Sequence, residues 1–80
     1  MPTVGERYYA LAVKMAAVMG DLQEIMEMCE DLKNQVDDDG QPYFEMRDCV
    51  RFGGTALAAM VTYTDVYLKE EKKKREEEKK

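Results

Sequence analysis

The chain has 80 residues, 12 Lys plus Arg against 17 Asp plus Glu, 45% hydrophobic residues, two cysteines, and neither histidine, serine nor tryptophan. A single domain of this size buries only about 60% of the surface its unfolded form exposes, so help from a partner is expected. The absence of histidine removes serine-hydrolase triads, cysteine–histidine dyads and imidazole zinc sites, and two cysteines cannot build a disulfide scaffold.

The opening MPTVGERYY has no basic segment leading into an apolar run, which predicts a cytoplasmic, reduced protein. Thr3 followed by Glu6 matches a capping box, so a helix is predicted to start there. From Tyr8 the apolar residues step by three and four: Tyr8, Leu11, Met15, Val18, Leu22, Ile25, Cys29, Leu32, Val36. This is a coiled-coil-like heptad seam, with Tyr8, Met15, Leu22, Cys29 and Val36 at a and Leu11, Val18, Ile25 and Leu32 at d. Ala12, Met19 and Met26 widen it with an e column, which suits a helix touching two neighbours. The opposite face carries Glu6, Asp21, Glu24, Glu27, Asp31 and Asn34 and is expected to be solvated.

Residues 37–42, DDDGQP, punctuate the chain with three acids, a glycine suited to a left-handed residue and a proline suited to a helix's first turn. So short a link predicts an antiparallel return. The second helix is apolar nearly all round, through Met46, Cys49, Val50, Phe52, Ala56, Leu57, Met60, Val61, Tyr63, Val66 and Tyr67. Gly53 and Gly54 interrupt it, predicting either a kink or a close approach of another element. The expected register sets Cys29 opposite Cys49 or Val50, Leu22 opposite Leu57, Val18 opposite Val61 and Leu11 opposite Leu68. The uncharged run from Phe52 to Thr64 is 13 residues, short of the roughly 20 a membrane span needs.

From Lys69 the text is KEEKKKREEEKK, with seven positive and five negative charges and nothing apolar. We expect 1–68 to form the helical domain, with net charge −7, and 69–80 to be a solvent-exposed helical extension whose removal leaves the fold intact. Lys72 to Arg75 is its one basic cluster, and flanking glutamates favour a solubilising role over a binding arm.

Three chemical readings compete with a plain structural one. Aligning Gly40 with the sixth position of an EF-hand loop puts Gln35 at position one and Met46 at position twelve, so a calcium loop lacks its bidentate glutamate and first acid. The spacing of Asp21, Glu24, Glu27, Glu30 and Asp31 resembles the ExxE pattern of helical-bundle nucleotide pyrophosphohydrolases. That resemblance implies magnesium, but the facing stretch Val50 to Ala59 has no carboxylate and a solvated face is the better reading. Arg7, Tyr8, Lys14, Tyr63 and Tyr67 come to one end of the hairpin, where stacking faces and two cations could hold a small anionic aromatic ligand such as a nucleotide. Nucleic acid is disfavoured by the acidic body.

The resulting expectation is an all-α protein: a long antiparallel hairpin self-associating into a four-helix bundle, a homodimer or higher oligomer, through Leu11, Met15, Val18, Leu22, Ile25, Leu57, Met60 and Val61. Its expected function is non-enzymatic binding, and possible inhibition, of a protein partner through an acidic surface, without cofactor, metal or membrane. The alternative is an oligomer that binds or sequesters a small molecule at protomer junctions.

Overall fold

A computed structural model describes residues 1–78 as two helices, α1 (Val4–Gln35, 32 residues) and α2 (Gln41–Glu78, 38 residues), packed on each other as a hairpin. The start of α1 is the one its sequence announces. Thr3 is extended (φ −75°, ψ 168°), its hydroxyl accepts from the Glu6 amide at 3.2 Å, and the Glu6 carboxylate accepts from the Thr3 amide at 3.1 Å. That bond from the Thr3 amide holds the Glu6 carboxyl below its ordinary value of 4.5.

The turn is made by its acids and its glycine. Asp38 accepts from the Gly40 amide at 2.8 Å and Asp39 from the Gln41 amide at 3.1 Å, so both carboxylates hold the loop's own backbone. Gly40 adopts φ +67°, the left-handed region that glycine enters without strain. Its bare Cα also seats the Lys33 methylenes, where an added Cβ would lie 2.6 Å from Lys33 Cδ. The Lys33 ammonium ends over the Tyr43 and Phe44 rings, 5.8 and 5.6 Å from their centroids.

Between the helices the seam runs through the a and e columns of α1, not a and d. Its half-buried residues are Tyr8, Ala12, Met15, Met19, Leu22, Met26, Cys29 and Lys33, a continuous three-four alternation, and on α2 Tyr43, Met46, Val50, Gly53, Leu57, Met60 and Leu68, with Thr64 buried; Gly54 and Ala56, on either side of this stripe, are half-buried as well. The expected facing pairs are therefore corrected. Val18 and Val61 do not meet in the seam; both are about half exposed, at 47% and 54%. Met19, which the expected register sets against Met60, instead rests its sulfur on Gly53, where an added Cβ would sit 2.6 Å away. The displacement is one heptad, which keeps the same α2 column facing inward. Gly53 is thus a point of close approach, while α2 continues unbroken through it. Cys29 shares a hollow with Tyr43, and Cys49 is exposed; both thiols are free, and the expected placement of Cys29 opposite Cys49 is corrected with the rest of the register.

The charged extension continues α2 as helix to Glu78; Lys79 and Lys80 lie outside the described residues. It carries one contact that its composition did not announce. Glu71 reaches across to the first turn of α1, accepting from the Thr3 hydroxyl at 2.8 Å and from the Gly5 amide at 2.9 Å. The physical reason is the positive end of the α1 dipole, whose free amides attract a carboxylate. Gly5 is buried beneath it, and an added Cβ there would lie 2.8 Å from Leu68 Cδ2.

The hairpin is a rod of 69 × 17 × 14 Å with a radius of gyration of 18.7 Å, against about 12 Å for a compact chain of this length. No hydrophobic side chain among the described residues is fully buried. A compact 9.3 kDa chain exposes about 5,000 Å²; this one exposes 6559 Å².

Candidate functional site

A ladder of exposed apolar residues runs along α1. Val4, Leu11, Val18, Ile25 and Leu32 recur every seventh residue and are 48, 49, 47, 45 and 58% exposed. The three-four seam turns the a and e columns toward α2, which leaves the d column some 80° away around the helix. On α2 the matching flank holds Cys49, Ala56 and Tyr63, with Phe52, Ala59 and Val66 beside them. The two flanks lie on the same side of the hairpin: near the turn Leu32 and Pro42 line one hollow, and near the open end Tyr8 meets Tyr63. One broad face of the rod is therefore apolar along most of its length.

Of the residues expected in an oligomer core, Met15, Leu22, Leu57 and Met60 are half-buried in the hairpin's own seam. Leu11, Val18 and Ile25 belong to the exposed ladder, and Val61 is exposed on the other flank of α2. Val4 and Leu32 complete the ladder; Leu32 stood in the sequence's d column, while Val4 hid in the first turn, where the capping box dominates the text.

At the open end the three tyrosines do come together. Tyr8 stacks on Tyr67 with centroids 5.6 Å apart and planes 10° apart, and meets Tyr63 edge-on at 5.7 Å. Arg7 lines a shallow hollow with Val4, Tyr8 and Leu11, and a second with Ala10, Leu11 and Lys14. All five predicted ligand contacts thus share one end, although Tyr8 and Tyr67 spend one ring face on each other.

The acidic residues do not converge. Glu24, Glu27 and Asp31 are exposed on α1, and no group of three metal-ligating side chains gathers among the described residues. The described salt bridges, Arg51–Asp48 at 3.8 Å and Lys69–Asp65 at 3.6 Å, are exposed and join residues of the same helix. No helix is long and apolar enough to cross a membrane among the described residues. The chain matches no family model, no curated protein and no solved structure.

Proposed function

We propose that the protein is a homo-oligomeric helical-bundle module, without enzymatic activity, that binds a basic protein partner through its acidic turn half. The observation that supports self-association is the exposed ladder Val4, Leu11, Val18, Ile25 and Leu32 on a hairpin with no fully buried hydrophobic side chain among its described residues. The surface in excess of a compact chain, about 1,600 Å², exceeds the roughly 800 Å² per partner that a stable interface buries. Covering the ladder supplies the core that two helices alone lack.

The partner's chemistry follows from charge. Between Asp21 and Arg51 there are ten acids and three bases. A field of that sign steers a basic surface toward the turn and repels phosphate backbones. The test is capture of proteins from native lysate by the natural chain and by a variant carrying Glu24→Gln, Glu27→Gln and Asp31→Asn, three exposed acids that hold no loop backbone. Expected is an enrichment of basic proteins by the natural chain, lost in the variant at unchanged oligomer mass. Equal capture by both would contradict the acidic-surface reading.

A second reading, a small anionic aromatic ligand at the open end, is favoured by Arg7 and Lys14 beside the tyrosine cluster. A thermal-shift screen with nucleotides tests it, the expected signature being a stabilisation lost on Arg7→Ala.

A further inference from the structure

The self-association just proposed leaves open how two hairpins face each other. A two-fold axis along the rods would set both turns at one end, whereas an axis across them sets each turn beside the partner's open end. Sequence and structure distinguish these arrangements in three independent ways.

The first is the ladder's own symmetry. Its five rungs are centred on Val18, so a second α1 running antiparallel across an axis at Val18 brings Val4 to Leu32, Leu11 to Ile25 and Val18 to itself, leaving no rung unpaired. The adjoining column holds Arg7, Lys14, Asp21 and Met28. In antiparallel pairing that column meets its own copy, which sets Lys14 against Asp21 of the second copy, twice by symmetry.

The second is α2. Its matching flank, Pro42, Cys49, Ala56, Tyr63 and Glu70, is centred on Ala56. The facing pairs Met19 with Gly53 and Tyr8 with Tyr63 and Tyr67 put Val18 and Ala56 within a turn of the same height along the hairpin. A single axis therefore serves both helices, and the smallest side chain of the α2 flank lies where the two α2 helices come closest.

The third is charge. The turn half, Asp21 to Arg51, carries ten acids against three bases, while the remaining described residues carry seven of each. Turns placed together would crowd two strongly acidic halves at one end; the crossed axis separates them and sets each against a neutral half.

We propose that a second copy of this chain covers the apolar ladder with its α1 antiparallel across a two-fold axis at Val18, so that the two acidic turns lie at opposite poles of a four-helix bundle. The proposal deepens the self-association reading and rests on it. It also gives the proposed basic partner two separate acidic poles on each dimer.

Spin labels on Asp37→Cys, in a chain carrying Cys29→Ala and Cys49→Ala, read the arrangement directly by double electron–electron resonance. The crossed axis gives a separation of roughly 55–60 Å at 1.5 Å per residue. A dimer with a separation under about 25 Å would overturn the orientation while leaving self-association intact, and a monomer would overturn both. A second measurement needs no cysteine replacement. Lys14→Asp should raise the dimer dissociation constant about tenfold, and adding Asp21→Lys should restore it to within about threefold. A double variant no better than Lys14→Asp would contradict the Lys14–Asp21 pairing.

Discussion

The two apolar columns that flank the a residues of α1 differ in what they are made of. Ala12, Met19 and Met26, the column turned toward α2, are small or flexible, and they meet an α2 surface that includes Gly53. Val4, Leu11, Val18, Ile25 and Leu32, turned outward, are all branched and stiffer. Methionine and alanine let the hairpin close tightly and tolerate irregular gaps. Branched side chains give an interface one well-defined packing. The side chains best able to specify a unique fit are thus the ones that the hairpin leaves uncovered.

The widest separation of the two columns comes from a charge in the outer one. Ile25→Asp should remove about 3 kcal/mol or more of dimer stability, because each dimer then buries two unpaired carboxylates. Sedimentation equilibrium should show a shift to the monomer at tens of micromolar. Leu22→Ala, in the inner seam, should cost about 2–3 kcal/mol in chemical denaturation, the lower part of the range for a core leucine because Leu22 is half-buried. If Leu22→Ala cost nothing and Ile25→Asp left the mass unchanged, the roles of the two columns would be exchanged or lost.

The open end contributes less. Glu71→Ala frees the Thr3 hydroxyl and the Gly5 amide and should cost about 1 kcal/mol, as the loss of a helix cap does. Truncation after Leu68 should reproduce that loss in a thermal melt, and truncation after Lys72 should not. The smallest effect is the titration of Glu6. Its folded value is depressed, so its contribution is full above the unfolded value near 4.5 and disappears as pH falls through the lower, folded value. The natural chain should therefore lose melting temperature faster than Glu6→Gln as pH is lowered below about 4.5.

Local signals were legible and long-range choices were not. The Thr3–Glu6 capping box and the Gly40 turn are written within four residues of where they act, and both form as the sequence implies. Which flank of the a column faces α2 was not readable, because d and e lie on either side of a and both were apolar over most of the helix. The choice rests on how Met19 fits Gly53, a relation across 34 positions. The same holds for Glu71, one of five glutamates in a charged block, singled out only by the register that brings it to the α1 N-terminus. The tyrosine cluster was foreseeable because hairpin topology brings positions 8 and 67 to one end whatever the register within a turn or two.

The mass of the natural chain in solution bears most directly on the central claim, that the Val4–Leu32 ladder is covered by a second copy. Size-exclusion chromatography with multi-angle light scattering at tens of micromolar should give about twice the 9.3 kDa chain mass. A monodisperse species at the chain mass would contradict it.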